Sequence, residues 1–200
     1  NGINDAFRVL SSEEMEETRR VYSNNRPYFL FVGSLHPRKN IHRLVEAFVA
    51  FCENNLDIDL VIVGNAMWKK SVFSLPKVPE NRVHFQGHLS TEELSRITGS
   101  AFALSYVPYF EGFGIPLVEA MRCGVPIISA NTSCLPEIAG DAAIYCDPFS
   151  VEEISTQLFR MAEDKKLHQT LSENALKRAS NYSWDVAAEQ IWKLISKYQT

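Results

Sequence analysis

Short apolar runs that end in glycine, separated by helical segments, constrain the fold of this 200-residue chain most strongly. The first two runs are PYFLFVG and DLVIVG, which end at Gly33 and Gly64. Both are apolar without alternation, which is typical of strands buried on both faces of a parallel sheet. Between them, NIHRLVEAFVAFCENN carries apolar residues at helical spacing. Because strands and helices continue to alternate, the sequence predicts an α/β fold: a doubly wound, Rossmann-like parallel sheet with helices on both faces.

The remaining strands and helices are predicted from the same two patterns. Further strands are expected at RVHFQG, AFALSYV, VPIISA and AAIYC. Ser11 caps a short helix with an acidic first turn, and Ser90 with Glu93 forms a capping box for another. Asn40 is a candidate cap for the helix after the first strand. Other helices are expected over Trp68–Ser74, Val151–Glu163, Lys165–Ala179 and Trp184–Tyr198.

The charges and the cysteines exclude several classes of function. The net charge is −4 and no block of Lys and Arg exceeds two residues, whereas binding to a nucleic-acid backbone needs a basic face. We therefore expect no nucleic-acid partner. The four cysteines show no C-x-x-C pair and no spacing typical of a metal site, so we expect buried, reduced thiols. With no signal-peptide pattern and no apolar run that could span a bilayer, the expected location is cytoplasmic.

The segment YFEGFGIPLVEAMRCGVPII follows a predicted strand, and ligands of such sheets bind where the strands end. Pro116 suits the first turn of a helix, so a helix is expected to begin near Ile115. Gly112 and Gly114 leave the preceding backbone open, and free amides at a helix start favour an anion such as a phosphate. A loop that needs glycine only for its turn explains this stretch equally well.

Two glutamates in that segment, Glu111 and Glu119, stand eight residues apart. On one helix they would be separated by about 12 Å along its axis. A retaining glycosidase needs its carboxylates about 5 Å apart and an inverting one less than about 10 Å apart, so a hydrolase pair is disfavoured. A metal site is also disfavoured, because no histidine or third carboxylate lies nearby in the sequence. The two glutamates are expected to bracket a ligand.

The segment GSLHPRKNIHRL follows the first predicted strand and supplies cations. Arg38 and Lys39 precede the helix that carries Arg43, and two cations at the carboxyl edge of a sheet suit a diphosphate. Taken alone, the segment is more simply a solvated basic turn. Opposite a glycine-rich helix start, phosphate binding becomes the better explanation. The absence of G-x-G-x-x-G after the first strand and of a Walker motif argues against a nicotinamide dehydrogenase and a P-loop nucleotidase.

The ordered motifs of the chain resemble the carboxyl-terminal, donor-binding domain of retaining glycosyltransferases of the GT-B fold, in family 4 (group 1). These motifs are VGSLHPRKNIHRLVEAF, LVIVG, HFQGHLSTEEL, YFEGFGIPLVEAMRCGVPII, PEIAGDAAIYCDPFS and YSWDVAAEQI. The E-x7-E pattern alone is weak, but the ordered set is specific and covers essentially all of the chain. The resemblance implies transfer of a hexose, of the mannose or glucose type, from a nucleoside-diphosphate sugar with retention of anomeric configuration.

The resemblance also implies roles for individual residues. Glu111 would be catalytic: it would hydrogen-bond hydroxyls of the transferred sugar near the reaction centre, without acting as a covalent nucleophile. Glu119 would accept hydrogen bonds from the ribose hydroxyls, and Arg38 and Lys39 would bind the diphosphate. Many members of the family have an arginine directly after the glycine of the first strand. This chain has Ser34 there, so Arg38 would supply the second cation.

Further donor-binding residues follow from the same resemblance. They are Gly33 and Ser34 after the first strand, Gly87, His88 and Leu89 where the base packs, Gly112, Phe113 and Gly114 facing the sugar, and Ile115, Pro116 and Leu117 near the diphosphate. No metal or other cofactor is implied. The cations and the helix start would stabilise the departing diphosphate, a role that many other enzymes give to a metal.

The resemblance divides the chain into three parts. Residues 1–26, beginning with NGIND, would be an interdomain hinge and short helix, and residues 27–180 the nucleotide-sugar-binding domain. Residues 181–200 would be a helix that crosses back to an amino-terminal domain missing from this chain, although Trp184 in that segment is equally compatible with core packing. The expected partners are the donor, the missing domain and, through it, an acceptor glycan or glycolipid of polysaccharide biosynthesis. The intact enzyme is expected to be cytoplasmic or peripheral at the inner face of the membrane.

Two other functions stay open at this point. One is a non-catalytic module that senses a nucleotide-sugar. The other is a nucleotide-sugar epimerase of similar two-domain build, which would need its own acid and base in the cleft. As a glycosyltransferase fragment, the chain is expected to bind its donor but to have little or no transferase activity by itself. GDP-mannose and UDP-glucose are both candidate donors.

Overall fold

The computed structural model describes residues 2–54, 57–65 and 77–197. Its strands, β1 to β6, are Tyr28–Val32, Asp59–Val63, Val83–Gln86, Ala103–Tyr106, Ile127–Ala130 and Ala143–Cys146. Its α-helices, α1 to α8, are Ser12–Tyr22, Ile41–Cys52, Thr91–Gly99, Ile115–Arg122, Leu135–Ala139, Val151–Glu163, Lys165–Ala179 and Trp184–Ser196. Short 3-10 helices cover Pro37–Lys39 and Gly140–Ala142. The helix predicted over Trp68–Ser74 lies outside the described residues.

These strands form a parallel sheet in the order β3-β2-β1-β4-β5-β6. The chain builds outward from β1 to β3, returns to the other side of β1 as β4, and then builds outward to β6. The strand order therefore reverses between β1 and β4, and the loops after these two strands meet at the switch point where doubly wound sheets bind ligands. The two candidate segments of the sequence occupy these loops. The predicted doubly wound α/β fold is confirmed.

The core consists of the central strands and the inner faces of helices on both sides of the sheet. Strand β2 is buried throughout, and β1 is buried from Tyr28 to Phe31. Helix α2 packs against α6, and α4 packs against both α3 and α7. Complete burial of one Leu or Phe side chain is worth about 1.5–3 kcal/mol. The apolar runs and helical stripes of the sequence therefore account for this layered arrangement.

Capping signals in the sequence identify three helix starts, two of which are capped by a side chain. Ser11 and Ser90 each form a capping box with the glutamate three residues later. Asn40 precedes α2, but its backbone is left-handed (φ 59°) and its side chain makes no capping bond. Its amide nitrogen instead donates to the carbonyl oxygens of Val107 at 2.9 Å and Pro148 at 2.7 Å. Asn40 therefore occupies the predicted N-cap position of α2 without capping it through its side chain, because these carbonyls, which reach α2 only in the folded sheet, hold the side chain.

Helix α8 presents apolar side chains on its surface. Trp184 is 63% exposed, so it is not packed in the core. None of the described residues of α8 is buried. Its exposed large apolar residues are Trp184, Ile191, Trp192, Leu194 and Ile195. Within the described ranges, no helix is long and apolar enough to cross a membrane.

The cysteines are unpaired, as the sequence predicts. All four thiols are free. Cys123 and Cys146 are buried, whereas Cys52 and Cys134 are partly buried, so burial is incomplete at two of the four positions. Burial raises the pKa of Cys123 and that of Cys146 to about 12. These two thiols therefore stay protonated at neutral pH and are poor nucleophiles.

Candidate functional site

Two loops that are far apart in the sequence lie side by side at the switch point. The loop after β1 contains the 3-10 helix Pro37–Lys39, and the loop after β4 leads into α4. The Tyr109 amide donates to the Arg38 carbonyl oxygen at 3.0 Å and so joins the loops directly. Nδ1 of His36 accepts a hydrogen bond from the Arg38 amide at 3.1 Å. The backbone that carries the two cations is thus held against the loop that carries the first glutamate.

Three of the predicted site residues form one ion cluster. Oxygen Oε1 of Glu111 lies 2.6 Å from Nη1 of Arg38 and 2.7 Å from Nζ of Lys39. The side chains of Glu111 and Lys39 are each 11% exposed, whereas that of Arg38 is 40% exposed. Because buried charges are screened less than exposed ones, Lys39 contributes more to the cluster than Arg38. The structure thus joins both cations predicted for a diphosphate to the glutamate predicted for the sugar.

Tyr106, which the sequence reading did not select, holds Lys39 in this cluster. It ends β4 and is fully buried. Nζ of Lys39 donates to the Tyr106 hydroxyl oxygen at 2.6 Å and lies 5.1 Å from the centre of its ring. Burial raises the pKa of Tyr106 well above its ordinary range, and the charge and hydrogen bonding of Glu111 raise it further. The phenol is therefore neutral; the available signal in the sequence was a tyrosine at the carboxyl end of a strand.

The loop after β5 supports the backbone of Glu111 on both sides. The Glu111 amide donates to Oγ of Ser133, and Sγ of Cys134 donates to the Glu111 carbonyl oxygen, each at 3.2 Å. Ser133 has a left-handed backbone with φ of 52°, which is uncommon for a residue other than glycine. The sequence reading missed this support, although the polar NTSC directly after VPIISA was a usable sign. These contacts fix the position from which the carboxylate projects.

Helix α4 begins at Ile115, as predicted from Pro116. Gly114 is its N-cap residue and has φ of 90°. A Cβ on Gly114 would lie 3.0 Å from the Leu135 side chain, so backbone and space both require glycine there. A Cβ on Gly112 would meet no atom within 4 Å. The backbone before the helix is therefore open to a ligand, which suits the predicted binding of an anion by its amides.

Two residues of the predicted donor set direct their side chains into the protein. Phe113 packs edge-on against Tyr182 with ring centres 6.0 Å apart. Leu117 is fully buried. Ile115, by contrast, is exposed. A ligand would therefore reach Phe113 only through its backbone, whereas the Leu117 amide already donates to the Gly114 carbonyl oxygen at 2.9 Å.

Glu119 lies in the second turn of α4 and is partly buried. Burial raises the pKa of its carboxyl to about 7, because desolvation disfavours the charged form. The carboxyl is therefore only about half ionised at neutral pH. Glu111, in contrast, has two cations at hydrogen-bonding distance. The two glutamates of the E-x7-E pattern thus occupy different electrostatic environments.

A ligand whose hydroxyls donate to Glu119 should bind more tightly as the pH rises through 7. Such hydrogen bonds favour the carboxylate, so binding lowers the raised pKa and releases a proton. From about pH 8 to about pH 6, the affinity for such a ligand should fall by up to about tenfold, which is the ratio of ionised fractions. Calorimetry at the two pH values measures this change. Glu119→Gln should bind more weakly and lose the pH dependence; an unchanged dependence would assign the titration to another group.

A cleft of about 300 Å³ lies at the carboxyl ends of β1, β2 and β3. The predicted residues in its lining are Gly33, Ser34, Gly87, His88 and Leu89. Gly64 and Asn65, which the sequence reading did not select, also line it, although Gly64 ends a strand just as Gly33 does. The cleft has the volume of a small-molecule site at the lower end of the usual range. Its glycine-rich lining suits a flat group such as a nucleobase.

Arg43, on α2, has partners outside the ion cluster. Its guanidinium bonds to the Tyr109 hydroxyl and lies 5.6 Å and 5.9 Å from the ring centres of Tyr109 and Phe149. These two rings stack with centres 4.8 Å apart. Arg43 thus packs on aromatic rings beside the site. Among the residues that the structure describes, no group of three His, Cys, Asp or Glu side chains could hold a metal ion; the independence from metals stays a prediction.

The arrangement of loops, cations and helix start is accompanied by sequence similarity to a known family. The family described as glycosyl transferases group 1 matches residues 14–178. This chain belongs to that family. The O-antigen chain mannosyltransferase B of Escherichia coli is 31% identical to it over 167 residues, which are 82% of this chain and 44% of that protein.

Solved structures agree on the fold. The Anabaena protein Alr3699/HepE, in complex with UDP and glucose, has a TM-score of 0.84 and 22% identity, over 98% of this chain and 56% of that one. The carboxyl-terminal domain of the group 1 family protein LpcC from Francisella tularensis has a TM-score of 0.75 and 18% identity, over 90% of this chain and 97% of that one. The fold is that of the carboxyl-terminal domain of GT-B glycosyltransferases. The chain spans about half the length of the E. coli and Anabaena proteins.

Proposed function

We propose that this group 1 glycosyltransferase chain is the donor-binding domain of an enzyme that transfers a hexose of the mannose type, with retention, from a nucleoside-diphosphate sugar to a glycan or glycolipid acceptor. The ion cluster of Arg38, Lys39 and Glu111 carries the proposal. It lies at the switch point, between the open start of α4 and the cleft of about 300 Å³. A diphosphate, a sugar and a base would each find a chemically suitable surface at this edge of the sheet.

The donor is placed by matching its parts to these surfaces. The base enters the cleft between Gly33 and Gly87, and the ribose hydroxyls donate to Glu119. The diphosphate lies against Lys39, Arg38 and the backbone at the start of α4. The sugar then lies beside Glu111, whose carboxylate accepts hydrogen bonds from its hydroxyls.

The chemistry follows from where charge develops. As the bond between the sugar and the diphosphate breaks, negative charge grows on the departing phosphate. Preorganised cations and helix-start amides stabilise that charge without reorganisation during the reaction. Glu111 orients the sugar, and its negative charge favours positive charge near the anomeric carbon. Ser133 and Cys134 hold the backbone from which this carboxylate projects. No step requires a metal.

The choice of sugar rests on the relatives. The E. coli relative is a mannosyltransferase, which supports a mannose-type donor. The Anabaena structure contains UDP and glucose, so a glucose-type donor is the alternative to be tested. The acceptor side belongs to the portion of the longer relatives that this chain does not span, and the chain alone is expected to bind the donor without appreciable transfer.

Calorimetric titration of the chain with GDP, UDP, GDP-mannose and UDP-glucose tests donor binding and identifies the base in one experiment. We expect GDP and GDP-mannose to bind, and the double variant Arg38→Ala, Lys39→Ala to abolish binding. If none of the four ligands binds at about millimolar concentration, the proposal is wrong. Binding without transfer by the full-length protein would indicate a sensor instead of an enzyme.

Replacing Glu111 by alanine in the full-length protein should reduce turnover strongly without a matching loss of affinity for the nucleoside diphosphate. The reason is that Glu111 acts on the sugar, whereas the diphosphate is held by the cations and the amides of α4. Loss of a charged group that acts in the transition state is expected to lower turnover about 100-fold or more. Steady-state rates and calorimetry on the same variant measure both quantities. Equal losses of turnover and affinity would make Glu111 a general binding residue.

A further inference from the structure

A single carboxylate oxygen occupies the position between the two cations. Oε1 of Glu111 bridges Nη1 of Arg38 and Nζ of Lys39 at 2.6 Å and 2.7 Å. A phosphate oxygen bound to both cations would be an anionic oxygen at similar distances from the same two nitrogens. The carboxylate and a phosphate would therefore accept hydrogen bonds from the same two donors.

We propose that Glu111 competes with the diphosphate for Arg38 and Lys39, and that this competition makes the site select a nucleoside diphosphate that carries a sugar over the bare nucleoside diphosphate. The inference deepens the proposed function and rests on it. It assigns Glu111 a role in ligand selection and product release in addition to its role in orienting the sugar.

The backbone that carries the carboxylate is anchored beside the two cations. It is held by Ser133 and Cys134, and the preceding Tyr109 is bonded to the Arg38 backbone. The Glu111 side chain is only 11% exposed, so its charge is weakly screened. A bound diphosphate would therefore lie beside a weakly screened negative charge.

Lys39 is also anchored. Its ammonium donates to the buried Tyr106 hydroxyl at 2.6 Å and is 11% exposed. Because Tyr106 stays neutral, it holds Lys39 without competing as an anion. From this fixed position the Lys39 ammonium can donate either to the Glu111 carboxylate or to a phosphate, so the two anions compete directly for it.

The sugar decides the outcome of this competition. When the diphosphate carries a sugar, Arg38 and Lys39 donate to the phosphate and no longer to Glu111. The sugar hydroxyls can then donate to Glu111 in their place. When the nucleoside diphosphate is bare, Glu111 loses these hydrogen bonds without replacement and repels the phosphates. Proteins often gain specificity from a charged group that repels one ligand but forms hydrogen bonds with another. The product of sugar transfer is the bare form, so the same effect favours its release.

The test compares bare and sugar-bearing ligands in a charge-removing variant. Inorganic pyrophosphate, GDP, UDP, GDP-mannose and UDP-glucose are titrated into the wild-type chain, Glu111→Gln and Glu137→Gln. Glu137→Gln is the matched control, because it removes one negative charge from an exposed position on α5. Thermal melting of each variant confirms that it is folded, and Glu111→Ala provides a second way to remove the charge.

We expect both Glu111 variants to bind pyrophosphate and the bare nucleoside diphosphate about tenfold more tightly than the wild type, which corresponds to the loss of one competing charged hydrogen bond. The sugar-bearing donor should bind no more tightly, so the preference for it over the bare form shrinks. The control should match the wild type. Unchanged or weaker binding of the bare forms by the Glu111 variants would show that Glu111 does not compete with the diphosphate, while the proposed donor site would still stand. If the wild type binds none of the nucleotides, the proposed function fails and this inference fails with it.

Discussion

Replacing Lys39 with alanine is expected to weaken nucleoside-diphosphate binding about 100-fold, because a charged hydrogen bond in a partly buried site is worth about 1.5–3 kcal/mol. The Lys39 ammonium lies between the Tyr106 hydroxyl and the Glu111 carboxylate and is 11% exposed. Its removal takes away the less screened of the two cations. The Glu111 carboxylate then loses a neutralising partner and repels the phosphates more strongly. Replacing Arg38 with alanine should weaken nucleoside-diphosphate binding less, since the Arg38 side chain is 40% exposed.

Calorimetry with GDP and UDP measures the loss, and Lys165→Ala is the matched control because Lys165 is exposed at the start of α7. Lys39→Arg should not restore binding. A guanidinium is planar and wider than an ammonium, and the position beside Tyr106 holds a single nitrogen at 2.6 Å. Wild-type affinity in Lys39→Ala would show that the diphosphate binds elsewhere.

Replacing Gly64 with alanine is expected to give a large loss of stability. Gly64 has φ of 144°, and a Cβ there would lie 1.9 Å from the carbonyl oxygen of Gly33. The backbone cannot move apart at Gly33 or Gly64 without breaking hydrogen bonds between the neighbouring strand ends. In these bonds the Gly33 amide donates to the Val63 carbonyl oxygen and the Gly64 amide to the Gly87 carbonyl oxygen, each at 3.0 Å. We expect the free energy of unfolding to fall by about 3 kcal/mol or more, from the clash and the strained backbone together.

Urea denaturation of the two glycine variants Gly64→Ala and Gly112→Ala measures this difference. The second is the control, because a Cβ on Gly112 would meet no atom within 4 Å, and its change should stay within about 1 kcal/mol. The Gly64 variant should also lose nucleotide affinity, since Gly33, Gly64 and Gly87 all line the cleft. Equal stability of the two variants would mean that the strand ends can separate at little energetic cost.

Much of the fold follows from local sequence. The apolar runs predict the buried strands β1 and β2, Ser11 and Ser90 predict helix starts, and Pro116 predicts the first turn of α4. Each of these signals is read within a few residues of the element that it specifies. The periodicity and the caps are therefore sufficient for the alternation of strands and helices and for the doubly wound class.

The candidate site is only partly predictable in this way. The sequence places Arg38, Lys39, Glu111 and Glu119 in loops and a helix start near strand ends, and the family resemblance assigns roles to them. It does not reveal that one oxygen of Glu111 touches both cations. That contact depends on the order of the strands, which puts the loop after β1 beside the loop after β4.

The sequence by itself determined the α/β class, the helix starts and the residue types available for the proposed nucleotide-sugar site, because these depend on local spacing. Only the tertiary structure decided that Asn40 binds carbonyls across the sheet, that Tyr106 holds Lys39, and that burial brings the pKa of Glu119 to about 7. Each of these depends on groups that are distant in the chain and become neighbours in the folded sheet. Burial and long-range contact are properties of the packed molecule, and no short window of sequence contains them.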